Sequence, residues 1–379
     1  MERRSFLRCI GCSALAAGLA NTELWPPMLG GLQNAYAFDI TTKLSTVEAR
    51  YYEKLEGGGV ECHICPRHCR VTDLERGFCG TRENHSDVYR TLVYGLPCAM
   101  NIDPIEKKPL FHFYPGTTAF SLATAGCNCD CKFCQNWDIS QSRPEQTSNY
   151  ELSPADAVQV CRSRGIPNIA YTYSEPVIFY EYMYDIAKLG KQQGVRSVMI
   201  TGGYIEEKPL AELMPQLDAI KVDLKSIRED YYRDVVRGEL KPVLDRLVQM
   251  RKAGIWLELV YLVVPTLNDT EAEFRELAQW VKANLGADVP LHFSRFMPQY
   301  LLTDLPVTPV HTLDRAHAIC KTEGLEFVYV GNVAGHPAES TYCPQCNAVL
   351  IERHGFDVRI AALDKNRCQA CGRVIPGRF

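Results

Sequence analysis

Phe120-Ser-Leu-Ala-Thr-Ala-Gly-Cys127-Asn-Cys-Asp-Cys131-Lys-Phe-Cys134 decides the reading of this chain. An apolar strand, Phe120 to Ala125, runs into a loop in which Cys127, Cys131 and Cys134 are spaced C-x3-C-x2-C. Three thiolates on one short loop can hold three irons of a cubane [4Fe-4S] cluster and leave the fourth without a protein ligand. A four-cysteine run saturates its cluster and transfers electrons, whereas an open iron invites a substrate or cofactor. The spacing therefore points to an enzyme. Cys129 lies only two residues from Cys131, a spacing unsuited to a ligand, and reads as a bystander.

Outward from this loop, short apolar runs alternate with helical patterns. Strands are expected at Phe120 to Ala125, Asn168 to Tyr173, Ser197 to Thr201, Ala219 to Leu224, Ile255 to Val263, Leu291 to Phe296 and Leu325 to Val330. Ser153-Pro154 marks a helix start, apolar periodicity marks Ile178 to Leu189, and Glu271 and Glu273 sit in the first turn of a third helix. Such alternation means βαβ units and a parallel sheet. No Gly-x-Gly-x-x-Gly follows the first strand, which disfavours a dinucleotide-binding fold. The expected fold is α/β: a partial (β/α)6 TIM-type barrel over 118–332, with a Cys-rich unit at 38–117 and a tail at 333–379.

Both flanks carry metal-ligand spacings. Of 17 cysteines, 11 fall into three compact clusters, so metal sites are favoured over disulfides. In the tail, Cys343-x2-Cys346 and Cys368-x2-Cys371 flank a strand-like run, the pattern of a four-cysteine zinc ribbon with a closed coordination sphere. In the N-terminal unit, Cys62, Cys65, Cys69 and Cys79 could hold zinc or an auxiliary iron-sulfur cluster, and spacing does not decide between them. The net charge of −4 and the absence of basic runs imply no nucleic-acid partner.

Residues 1–37 read as a twin-arginine export signal: Arg3-Arg4, a 12-residue apolar stretch from Cys9 to Ala20, then Ala35-Tyr36-Ala37 as a cleavage candidate. The stretch is too short to cross a bilayer of about 30 Å as a helix, and no integral membrane span is expected.

Barrel enzymes place reacting groups at the C-terminal ends of their strands. Strand two ends in Tyr173-Ser174-Glu175, strand three in Thr201-Gly202-Gly203, and strand four in Lys221-Val222-Asp223-Leu224-Lys225, whose charges share one face. Strand five carries Glu258 and ends near Asn268-Asp269, and strand six offers His292 and Arg295. Each also has a structural reading. Glu175 suits a helix N-terminus, Asp223 and Lys225 can pair, His292 suits a core, and Asn268-Asp269-Thr270 is an ordinary helix cap.

The chain resembles the radical S-adenosylmethionine (radical SAM) superfamily, in its pyruvate-formate-lyase-activating-enzyme-like branch called AmmeMemoRadiSam-system proteins. The resemblance rests on Asp103-Pro-Ile-Glu-Lys-Lys-Pro109, Cys127 to Asn136, Tyr171-Thr-Tyr-Ser-Glu-Pro176, Lys221 to Lys225, Leu291 to Phe296 and Ile375-Pro-Gly-Arg-Phe379. It implies a [4Fe-4S] cluster on Cys127, Cys131 and Cys134, and SAM held by Glu175, Thr201, Asp223 and Lys225. Tyr-Ser-Glu stands where the superfamily has Gly-Gly-Glu, and Gly202 where relatives have asparagine. Reductive cleavage of SAM to a 5′-deoxyadenosyl radical follows, with hydrogen abstraction from a small molecule, peptide or protein glycine. A low-potential electron donor is then required. Glu175, His292 and Arg295 are the candidate catalytic residues, with Tyr173 a further substrate contact. A glycyl-radical activase is one form of this reading, and a non-catalytic iron-sulfur electron-transfer protein is the rival. SAM chemistry belongs to the cytoplasm and the opening segment to export, which leaves localisation open.

Overall fold

The computed structural model describes residues 38–379, so the expected signal at 1–37 lies outside the described residues. The core is an eight-stranded open sheet with helices along it. Its strands are β1 (Ala99–Pro104), β2 (Thr118–Ala123), β3 (Asn168–Tyr171), β4 (Arg196–Thr201), β5 (Ala219–Asp223), β6 (Trp256–Val263), β7 (Leu291–Arg295) and β8 (Val328–Gly331). They lie in sequence order, and every pair from β2 to β8 is parallel. This is an α/β fold with a mostly parallel central sheet, consistent with the expected partial barrel, and it has one addition. β1 pairs antiparallel with β2, Ala99 opposite Ala123. Its Met100-Asn-Ile-Asp103 run alternates, but it is only four residues long and ends in Asp-Pro, with Asn, Asp and Pro all depleted in strands, so the strand signal is weak.

Among the described residues, six helices of seven residues or more connect the strands: α1 (Pro154–Arg164), α2 (Tyr180–Gln192), α3 (Glu207–Leu213), α4 (Leu240–Ala253), α5 (Glu271–Asn284) and α6 (Val310–Thr322). Local chemistry sets their ends. Ser153 accepts the Asp156 N–H at 3.2 Å with Pro154 at the first position, and Gly165 stops α1 at φ +65°. Thr270 accepts the Glu273 N–H at 3.3 Å and starts α5.

The segment between β1 and β2 crosses the inner face of the sheet. Ile105, Leu110 and Phe113 pack on Ala119, Ala170, Val198 and Ala219, near the N-terminal ends of β2 to β5. Small strand residues leave room for the large plug residues, which makes this a packed floor rather than a pore. Glu258 on β6 fastens it, accepting the Phe111 and His112 N–H groups at 3.0 and 2.9 Å.

The C-terminal tail docks under the same floor. Arg353 is wholly buried, lies 4.1 Å over the Phe111 ring and donates to the Phe111 carbonyl at 2.7 Å. His112 meets the Pro376 carbonyl through Nδ1 at 2.7 Å, so Nδ1 carries the proton and Nε2 accepts from the Tyr329 hydroxyl at 2.5 Å. Two small antiparallel sheets fold the N-terminal section, one of Tyr52–Leu55, Gly59–Cys62 and Arg70–Val71, the other of Val47–Glu48, Arg82–His85 and Val88–Thr91. Among the described residues no helix is long and apolar enough to cross a membrane.

Burial pulls the His112 pKa from 6.5 down to about 4. The unfolded chain therefore binds a proton between those values that the folded chain does not, and stability falls as pH drops through that window. At pH 5 the cost is about 2 kcal/mol. His112→Asn should lower the melting temperature at pH 7 yet give a shallower fall between pH 7 and 5 than the unaltered protein, as read by thermal unfolding across that range.

Candidate active site

The cysteine loop leaves the C-terminal end of β2 and is pinned from several directions. The Asp130 and Lys132 N–H groups donate to the Val236 and Val235 carbonyls at 3.2 and 3.0 Å, on a wide helical turn, Tyr232–Val236. Asn128 reaches the Tyr204 carbonyl at 2.7 Å, Asn136 the Tyr173 carbonyl at 2.8 Å, and Leu301 N–H the Lys132 carbonyl at 3.0 Å. Gly126 precedes the first cysteine at φ +93°, and a Cβ there would stand 2.6 Å from the Cys79 carbonyl and 2.4 Å from Thr81 Cγ2. Only glycine fits. The Cys129 sulfur lies on the Tyr204 and Gly238 side of the loop: a Cβ on Gly238 would stand 3.8 Å from it.

Ends of the next three strands converge on the same rim. Glu175 is buried, and it accepts the Thr201 hydroxyl, the Gly202 N–H at 2.7 Å and the Val177 N–H at 3.3 Å. It is thus also the cap of the helical turn Pro176–Phe179, so the two readings of this residue are compatible. Burial raises its pKa, against hydrogen bonds from Thr201 and Gly202 and the charge of Lys225. Thr201 spends its hydroxyl on Glu175 and accepts the Gly203 N–H at 2.9 Å, which makes it a holder of the carboxylate. Asp223 pairs with Lys221 and, at 3.3 Å, with Lys225. Burial opposes the charge on Lys225, but Asp223 and Cys131 outweigh it and raise the pKa, so Lys225 stays an ammonium beside the cysteine loop.

A second charged group, on β1 and the plug, had no role in the sequence reading although its motif stood out. Asp103 pairs with Lys108 at 2.6 Å and Lys107 at 2.8 Å and receives the Tyr173 hydroxyl. Lys108 Nζ lies 4.4 Å over the Tyr173 ring. Burial works against ionising Asp103, yet Lys108, Lys107 and Tyr173 hold it well below the usual carboxylate range. Burial pushes Lys108 down to about 8, with Asp103 opposing. Tyr173 adopts φ +63°, an unusual conformation for a bulky side chain at a strand end, of the kind that clusters at functional sites.

His292 and Arg295, expected to act in catalysis, both bond to groups of the protein itself. His292 is buried, bonded to Glu258 at 2.8 Å and stacked on Tyr329 at 4.8 Å, so it belongs to the floor. Arg295 alternates with His292 and shares the face of Phe293, which packs on Phe274 of α5, and its Nε donates to the Thr308 carbonyl at 2.8 Å. Asn268 likewise serves structure, bridging Lys225 O, Leu262 O and Val264 N–H at 2.9, 2.9 and 2.6 Å.

The tail cysteines form a tight set. Cys343 and Cys371 sulfurs are 3.6 Å apart, as are those of Cys346 and Cys368, and all four lie within 4.8 Å of one another. Four thiolates about 2.3 Å from one ion stand roughly 3.8 Å apart on a tetrahedron. A single tetrahedral ion fits.

A family model for the radical SAM superfamily matches residues 121–281, the span from β2 through α5. An uncharacterized protein of Methanocaldococcus jannaschii is 48% identical over 330 residues, covering 86% of this chain and 98% of that one. The chain belongs to the radical SAM superfamily. Membership implies a [4Fe-4S] cluster and S-adenosylmethionine. The pyruvate formate-lyase-activating enzyme of Clostridium pasteurianum is 25% identical over 160 residues, 41% of this chain and 66% of that enzyme. A radical SAM methyltransferase structure from Sphaerobacter thermophilus matches with TM-score 0.48 and 17% identity over 81% of this chain and 82% of that one.

Gly126→Ala should destabilise the fold, since the backbone conformation alone costs about 1–3 kcal/mol and the Cβ meets the Cys79 carbonyl. A lowered melting temperature, with reduced iron content after anaerobic reconstitution, is the expected result.

Proposed function

We propose that this chain is a radical SAM oxidoreductase whose cluster sits on Cys127, Cys131 and Cys134 and whose SAM site is the rim formed by Glu175, Thr201, Asp223 and Lys225. The observation that carries this reading is the convergence of those four side chains beside a three-cysteine loop, at the ends of neighbouring parallel strands. Three thiolates fit a cluster with an open iron. When bound, cluster and SAM together supply the electron and the 5′-deoxyadenosyl radical that takes a hydrogen atom from substrate.

The residues do the rest. Glu175, held by Thr201 and Gly202, presents a buried carboxylate able to accept from an ammonium group. Asp223 and Lys225 offer opposite charges to the polar groups of a zwitterionic, ribose-bearing ligand. The packed floor closes the interior near the N-terminal ends of the strands. Lys108 and Tyr173 face the same interior and are suited to orient a substrate bearing acidic groups. In the tail, Cys343, Cys346, Cys368 and Cys371 would hold structural zinc. A low-potential one-electron donor supplies the reducing equivalents. Similarity to a pyruvate formate-lyase-activating enzyme favours a second form of the same reading, hydrogen abstraction from a glycine of a partner protein.

Anaerobically reconstituted protein given dithionite and SAM is expected to release 5′-deoxyadenosine; an intact cluster spectrum without release would sink the reading. Glu175→Gln and Asp223→Asn should each weaken SAM binding about ten- to hundredfold, the range for losing a charged hydrogen bond, measured by equilibrium dialysis under nitrogen.

A further inference from the structure

We propose that Cys62, Cys65, Cys69 and Cys79 hold a second [4Fe-4S] cluster, and that it delivers electrons to the cluster of the Cys127 loop. The relay rests on the function just proposed; the second cluster does not. The four cysteines come from two neighbouring turns. Cys62 ends the strand Gly59–Cys62, and its N–H bonds the Cys69 carbonyl at 3.0 Å, which closes a loop holding Cys65. A turn at Gly77 to Gly80 then brings in Cys79: Phe78 N–H donates to the Cys69 sulfur at 3.4 Å, and Thr81 Oγ1 to the Cys79 sulfur at 3.3 Å. A Cβ on Gly77 would stand 3.6 Å from the Cys69 sulfur, so the turns are in contact.

Spacing of the sulfurs separates the two metal chemistries. Among the described residues, only the tail cysteines and the set Glu61, His63 and His68 bring three or more ligand atoms within 4.8 Å of one another. No three sulfurs of Cys62, Cys65, Cys69 and Cys79 do so, and neither do those of Cys127, Cys131 and Cys134. Four ligands of one zinc ion must crowd together, as the tail thiols do. Each thiolate of a cubane binds its own iron and stands further from the rest. The N-terminal set therefore groups with the SAM-loop cysteines and not with the tail.

The surroundings suit a sulfur-rich anion. Tyr89 is wholly buried with its hydroxyl unpartnered, and a Cβ on Gly77, which stands beside the Cys69 sulfur, would meet that hydroxyl at 2.7 Å. Arg82 is also wholly buried; its terminal nitrogens hold Glu181 at 2.7 and 3.0 Å, while its Nε has no partner. Unpartnered buried donors cost about 1–3 kcal/mol each, a penalty that cluster sulfurs would remove by accepting from them. His63 and His68 are joined to each other at 3.1 Å and, through His68, to Glu206 at 3.0 Å.

Position then gives the cluster its task. Cys79 and Gly126 touch, Cys127 is the next residue, and Cys79 and Cys127 line one cavity of about 700 Å³ with Arg76, Asp130, Arg143 and Tyr300. One electron would pass from a reduced, low-potential protein donor of the flavodoxin or ferredoxin class to the second cluster. It would pass on to the SAM-loop cluster, leaving the second cluster oxidised once more, and one electron would be consumed per carbon–sulfur bond cleaved.

A Cys127→Ala, Cys131→Ala, Cys134→Ala triple variant, reconstituted anaerobically, tests the site without any SAM chemistry. It should retain about four irons and four sulfides per chain and give a reduced-cluster EPR signal. Iron-free protein with two zinc ions per chain would overturn the proposal. Cys79→Ser on that background should shift the EPR signal, and an unmoved signal also counts against the assignment. With the SAM loop intact, replacing all four N-terminal cysteines by serine should slow reduction of the remaining cluster by flavodoxin more than tenfold, and an equal rate would overturn the relay. If the unaltered protein releases no 5′-deoxyadenosine while the triple variant keeps its iron, the function fails and the second cluster stands.

Discussion

Glu258 is the carboxylate on which the interior is hung. It is fully buried and receives four donors: Phe111 N–H, His112 N–H, Trp256 Nε1 at 3.0 Å and His292 Nε2. Burial would push such a group toward neutrality, but hydrogen bonds and the facing histidines outweigh it and lower its pKa. A single charge thereby fixes the crossing segment to β6 and orients the β7 histidine. It also sets the height of Phe111, the ring under which Arg353 lodges. Without a saturated acceptor there, the plug's backbone donors would be orphaned in a dry core.

From that floor the geometry reaches the rim through one short stretch of chain. β1 and the plug are continuous, so fixing Phe111 also fixes Lys108, and Lys108 meets Asp103, which lies opposite Ala119 near the start of β2, and the ring of Tyr173, which follows the end of β3. On the far side, β4 and β5 run in register with Thr201 opposite Val222, so Asp223 lies one residue beyond that pair and on the other face of its strand. The site is therefore held by regular strands at its sides and by one crossing segment from below. The cysteine loop has one backbone bond of its own, Cys134 N–H to the Cys131 carbonyl at 3.0 Å, and is tied down from outside by Val235, Val236, Tyr204 and Tyr173.

Much of this was legible in the sequence where a local rule governs. Three cysteines at fixed spacing, a βα alternation, Ser153-Pro154 and the Glu175 position all follow from short-range patterns, and the sheet and α1 obey them. What escaped depends on partners far along the chain. β1 is a strand because β2 offers it an edge, not because Asn101 and Asp103 favour one. His292 and Arg295 resembled catalytic residues by type and position. Yet strand alternation gives them opposite faces, and Glu258 had already claimed the inward one. The Asp103 motif was visible as a motif, but its meaning required knowing that Tyr173 bends back to it.

The C-terminal residues are the last of the chain to be made. Pro376 O accepts from His112, Arg378 O accepts the Tyr114 N–H at 2.6 Å, and Arg378 N–H returns to His112 O at 2.7 Å. These bonds join positions separated by more than two-thirds of the chain. During synthesis the barrel's strands emerge long before the residues that seal its underside. Loop-closure entropy for such distant contacts is met only at the end of folding. Until then the plug's lower face lacks the bonds that Pro376 and Arg378 supply.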